Sequence, residues 1–98
     1  MLFRSVDPGM APGTGTPEPG GLTGRQLLDA VRRIAMEMPL AGMDVVEVSP
    51  PYDHAEVTAY LGNRVVLEAL SGIAWRRGQA AGRPVRQPGA PLLDGRNP

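Results

Sequence analysis

Glu47 stands inside the most strand-like stretch of the sequence, residues 43–53, which read MDVVEVSPPYD. Val45, Val46 and Val48 place three β-branched side chains around it, the composition of a strand buried on both faces. A carboxylate in such a run is costly without a partner. The partner that satisfies it best is a cation with several donors, above all a guanidinium. Glu47 also lies near the C-terminal end of the run, where open α/β sheets place their ligands. Two readings of it stand side by side: a satisfied structural carboxylate and a cation-binding one. Asp44, earlier in the run, reads as structural, satisfied by backbone or by an arginine.

A second stretch with chemical potential is residues 7–21, DPGMAPGTGTPEPGG. Four prolines and five glycines in fifteen residues exclude a helix or a central strand. Thr14, Thr16 and Glu18 alternate with Gly and Pro, and glycine lets a backbone approach a ligand closely. The plainer reading is a surface linker. The loop lacks both the GxxxxGK[ST] phosphate motif and dinucleotide-fold spacing. His54 is the one histidine. With no His, Cys or carboxylate cluster at ligand spacing it reads as an exposed residue after a helix-capping Asp53, and no Ser-His-Asp set can be built on it.

These residues need elements to position them. Thr23 and Gln26 form a capping box ahead of an amphipathic helix over 22–38. Its stripe is Leu27, Val31, Ile34 and Met38, and Pro39 and Gly42 stop it. A parallel strand over 43–48 follows. Asp53 with Glu56 then predicts a second capping box and a helix over 54–75, with Val57, Leu61, Val65, Leu70 and Ile73 inward and an Arg64–Glu68 pair on the outer face. Residues 76–98 carry five arginines against one acid, with four prolines, and read as a disordered tail. Loop, helix, strand, helix is a piece of a parallel α/β architecture.

Composition narrows the classes. Ninety-eight residues allow one domain at most: here residues 1–75 with the tail 76–98 appended. Formal net charge is zero, and the arginine-rich tail holds no aromatic to stack on a base, so there is no case for nucleic acid. Without cysteine there is no disulfide, zinc knuckle or thiol nucleophile. No apolar run approaches the roughly 20 residues of a membrane span, and the first residues lack a signal peptide's apolar core. The expectation is a cytoplasmic protein that does not engage a membrane.

Taken together, DPGMAPGTGTPEPGGLTGRQ and MDVVEVSPPYDHAEVTA resemble the ureohydrolase (arginase/agmatinase) family, the agmatinase branch most closely. The resemblance covers residues 7–75 and corresponds to the C-terminal third of a typical member. It implies a three-layer α/β/α sandwich, of which this chain would be a fragment. It also implies hydrolysis of a guanidino substrate, such as agmatine to putrescine and urea. Two manganese ions (Mn2+) per site would make the nucleophile. By resemblance Glu47 holds the substrate guanidinium, and Thr16, on the GTGTP loop, lies near the substrate end of the metal site.

The departures are equally specific. The family's Asp-x-Asp metal pair falls on Leu2 and Arg4 here, and its other ligands lie in an upstream region this sequence lacks. An aliphatic side chain and a cation cannot replace two carboxylates on hard divalent ions. No family metal ligand is present, so the 98-residue chain is expected to be inactive, the product of a truncated or mis-called gene that folds only marginally. The alternative is a non-catalytic fragment that associates with a full-length homologue, since the family commonly forms trimers or hexamers. Residues that choose among guanidino substrates are expected in upstream loops.

Overall fold

The computed structural model of the chain describes residues 3–83. Helix α1 (Gly24–Glu37) starts where its capping box requires. The Gln26 N–H donates to Thr23 Oγ1 at 3.1 Å, and the Thr23 N–H donates to Gln26 Oε1 at 3.0 Å, so each residue's side chain satisfies the other's otherwise orphaned backbone donor. Leu27 and Ala35 are buried, whereas Ile34 and Met38 of the expected stripe are exposed. The far side is solvated, with Arg25 3.5 Å from Asp29 and Arg33 3.2 Å from Glu37.

Helix α2 (Val57–Ala80) begins later and ends later than the sequence predicts. Pro50–Tyr52 form a turn of 3-10 helix, and Ala55 and Glu56 then take left-handed backbone angles, φ 50° and 62°. That left-handed step delays the first helical residue to Val57. Glu56 becomes the N-cap and makes no side-chain capping bond, so the expected Asp53–Glu56 box does not form. Asp53 caps the helix from further back instead: its carboxylate accepts the N–H of Thr58 at 3.0 Å and of Ala59 at 3.1 Å. At the other end residues 76–80 are helical rather than part of a structureless tail. Arginine, glutamine and alanine favour helix, and the stop signal is Gly82. Gly82, at φ +70°, donates to the Gln79 carbonyl at 3.0 Å, and Arg83 donates to that of Gly78 at 2.9 Å, a Schellman closure. The remaining expected tail, 84–98, lies outside the described residues, as does Leu2.

The two helices cross in close contact. A Cβ added to Gly72 would lie 2.6 Å from Ala35 Cβ and 3.1 Å from the Arg32 carbonyl oxygen, so this crossing admits no side chain. The buried stripe of α2 is Thr58, Gly62, Val65, Ala69 and Gly72, at helical spacing. Val57 and Leu70 of the expected stripe are exposed, and Leu70 with the neighbouring, also exposed Val66 makes a second apolar face on α2 that is open to solvent. Glu68 is not on the outer face: it is buried, and Arg64 reaches it with bonds of 3.0 and 3.1 Å.

Among the described residues the strand expected over 43–48 is absent as a regular element. The extended segments touch at isolated points: Val6 and Leu22 form a parallel bridge, the Phe3 N–H donates to the Val46 carbonyl at 3.3 Å, and the Ser49 N–H donates to the Gly13 carbonyl at 2.7 Å. Glu47 itself, at φ 70°, breaks the extended backbone one residue later. Asp44 and Glu47 are exposed, and Val45, Val46 and Val48 are half-buried. Parallel strands need hydrogen-bonded neighbours and cover on both faces, and the described residues supply neither in full. The expected α/β fragment is thus realised as two helices joined by bridged, extended loops. Phe3, Val6, Ala11, Leu27 and Val65 form the core, with Leu28, Val31, Val45, Val48 and Leu61 packed on it. No helix among the described residues is long and apolar enough to cross a membrane.

Candidate functional site

Asp7 pins the glycine-rich loop at both ends. Its carboxylate accepts the N–H of Gly9 at 2.8 Å and of Gly20 at 2.9 Å, and its own N–H donates to the Leu22 carbonyl at 2.9 Å. The Gly9 and Gly20 N–H donors hold the Asp7 carboxyl below its ordinary pKa. Residues 7–21 are therefore an ordered loop with a built-in clasp rather than a loose linker.

The middle of the loop is fixed by Gly13. Its N–H donates to Thr58 Oγ1 at 2.8 Å in a buried bond, and its carbonyl accepts the Ser49 N–H at 2.7 Å. A Cβ on Gly13 would fall 2.7 Å from Asp53 Cγ, so only glycine fits against that carboxylate. Burial pushes the Asp53 carboxyl up, but the Thr58 N–H and hydroxyl, with the N–H groups of Ala59 and His54, outweigh it and hold the pKa below the ordinary value. One carboxylate thus caps α2 and seats the loop. Nothing in the spacing of Gly13, Asp53 and Thr58 announces this; the nearest signal is that each lies in a glycine- or proline-marked motif.

The consequence is a shared cleft. Gly15 and Thr16 from the loop face Glu47, Val48 and Ser49 across a volume of about 290 Å³. The two residues singled out as substrate-binding, Glu47 and Thr16, therefore line one cleft, and both are exposed. The left-handed backbone at Glu47 is costly for a residue with a Cβ, and strain of this kind concentrates at functional sites. Thr14 behaves differently from Thr16: it is buried, and its hydroxyl has no hydrogen-bond partner among the described residues. His54 is exposed.

The sequence of residues 5–72 matches the arginase family. The chain belongs to that family. It is 48% identical over 65 residues to an agmatinase of Chromobacterium violaceum, an alignment covering 66% of this chain and 20% of that protein. It is 49% identical over 65 residues to the proclavaminate amidinohydrolase of Streptomyces clavuligerus, covering 66% of this chain and 20% of that protein. Its structure superposes on the formimidoylglutamase of Bacillus subtilis with a TM-score of 0.73 at 36% identity, covering 76% of this chain and 23% of that one. The chain thus spans only about a fifth to a quarter of the length of the relatives it matches. Those relatives carry three different activities in their names, so membership of the arginase family does not choose a substrate.

Members of this family are metalloenzymes. Among the described residues, no three of His, Cys, Asp and Glu come close enough to share an ion. Arg4, at a position where the resemblance places a metal-binding Asp, has a guanidinium with no lone pair to give. The described residues do not fit a manganese pair. Arg4 turns instead toward the cleft, its Nε 4.0 Å from Glu47 Oε2, a proximity that sequence spacing alone gave no reason to expect.

Proposed function

We propose that the chain is the guanidinium-holding portion of an agmatinase-like hydrolase, the class that converts agmatine to putrescine and urea with manganese. Glu47 accepts the N–H groups of the guanidinium, and Thr16 contributes a hydroxyl from the opposite wall of the same cleft. The observation that carries this reading is that Glu47 takes a left-handed backbone within the valine-rich stretch and lines one cleft with Thr16. A planar guanidinium suits a half-exposed carboxylate, which can accept two parallel N–H bonds. The described residues assemble no group of metal ligands that would activate a water for the hydrolytic step, and in this reading the 98-residue chain binds a guanidino ligand and releases no urea.

Titration of the full chain with agmatine, followed by NMR shifts of the 13–16 and 46–49 amides, tests the reading. Saturable shifts that vanish in Glu47→Gln are expected. Shifts unaffected by that substitution would remove Glu47 from the site, and manganese-dependent urea release by the purified chain would overturn the inactivity.

A second reading is favoured by a different surface. Leu40, Met43, Val45, Val66, Leu70 and Ile73 line an apolar groove of about 380 Å³, in which Met43 and Leu70 are about half exposed. We propose a longer arginase-family chain as its occupant, because the chain holds only about a fifth to a quarter of the relatives' length and this groove borders the 43–48 segment, which forms no regular strand among the described residues. Co-purification with such a homologue is the expected outcome; a chain that stays monomeric beside it would argue against this reading.

A further inference from the structure

Arg4 is held beside Glu47 by the fold and not by chance. Phe3 is fully buried and anchors the turn Phe3–Ser5 in the core. The Phe3 N–H donates to the carbonyl of Val46, the residue before Glu47, so the two backbones run side by side at this point. Arg4 and Glu47 are the next residues on each, and their side chains, half exposed, stand 4.0 Å apart. The guanidinium closest to the proposed guanidinium-binding carboxylate is therefore one of the chain's own.

From this juxtaposition, and resting on the reading of Glu47 given above, we propose that Arg4 is a specificity-determining residue: it competes for Glu47 as an internal guanidinium and favours guanidino ligands with an anionic tail over those with a cationic one. At 4.0 Å the pair is ionic and too long for a hydrogen bond, so an incoming guanidinium that makes short, paired bonds displaces it. The displaced Arg4 remains tethered within a few ångströms of the ligand. A tail carboxylate gives it a new partner, and the exchange conserves ion pairs. A tail ammonium leaves Arg4 unpaired beside a like charge. Both tails of a four-carbon ligand lie within one screening length of Arg4, so the discrimination needs no direct contact.

Dissociation constants of the full chain for agmatine and for 4-guanidinobutyrate test this, with Arg4→Ala and Glu47→Gln alongside. The chain is expected to prefer 4-guanidinobutyrate, and Arg4→Ala is expected to shift the ratio of the two constants toward agmatine by about three- to tenfold, the size of one partly screened charge–charge interaction. The preference should also shrink in about 1 M salt. A ratio unchanged by Arg4→Ala, with both ligands still lost in Glu47→Gln, overturns the role of Arg4 and leaves Glu47 standing. Binding indifferent to Glu47→Gln overturns both. Arg4 is half exposed on a surface turn, so its removal leaves the core intact, and unchanged amide spectra away from the cleft verify this.

Discussion

Replacing Thr58 by valine isolates the bond that joins the glycine-rich loop to α2. Valine keeps the shape and removes the acceptor, so no cavity opens and the Gly13 N–H is left buried with nothing to accept it. An orphaned buried donor costs about 1–3 kcal/mol, against a total stability of about 5–15 kcal/mol for a small domain. The Thr58 hydroxyl also serves the Asp53 carboxylate, which adds to the loss. Taking about 2 kcal/mol, a chain of this size should melt roughly 8–16 °C lower. Thermal and urea denaturation followed by circular dichroism measures the change, and amide exchange at Gly13 localises it. Thr58→Ser keeps a hydroxyl and should recover much of the loss. A Thr58→Val protein within about 0.5 kcal/mol of the parent, with Gly13 still protected, would refute the claim that this bond seats the loop.

Two further outcomes follow from the packing and the carboxylates. Gly72→Ala gains about 1 kcal/mol of helix propensity and incurs about 1–3 kcal/mol of overpacking against Ala35, so the urea midpoint should fall; a rise would show that the helix crossing can open. Asp7 and Asp53 both have folded pKa values below the ordinary 3.8. Their contribution is therefore complete above the unfolded-state value and is lost as pH falls through the folded values. Denaturation midpoints should drop steeply from about pH 4 downward, and Asp53→Asn should flatten that drop.

What was legible in the sequence was local. Thr23 and Gln26 are three residues apart and make their bonds within one helical turn, so the start of α1 could be read directly. The arginase-family membership was legible because its motifs are long. The strand was not, because three valines state a preference that only neighbouring strands can realise, and the described residues hold none. Glu56 matched a capping-box pattern, but Ala55 and Glu56 turn left-handed and hand the cap to Asp53. Glu68 matched a surface pair, while the packing of α2 turned it inward. At the site, Glu47 and Thr16 were legible as residue types. Their meeting at one site was implied by the family resemblance and not by their spacing, because the contacts that bring them together run through Gly13, Asp53 and Thr58 and span up to 45 residues of chain.

The clasp of Gly13 between Asp53 and Thr58 bears on how such motifs are inherited. Part of what makes GTGTP and SPPYDHAEVT distinctive is demanded by folding: Gly13 because no other residue fits, Asp53 because it caps and seats at once, Thr58 because it closes a buried bond. A saturation-mutagenesis library selected for protease resistance alone would therefore return these three letters, as would one selected for turnover. Glu47 and Thr16, solvent-facing and outside the core, are where the two selections would part. A descendant that had lost its chemistry could keep the wording of the motifs for many generations, and drift at those two positions would be the first record of the loss.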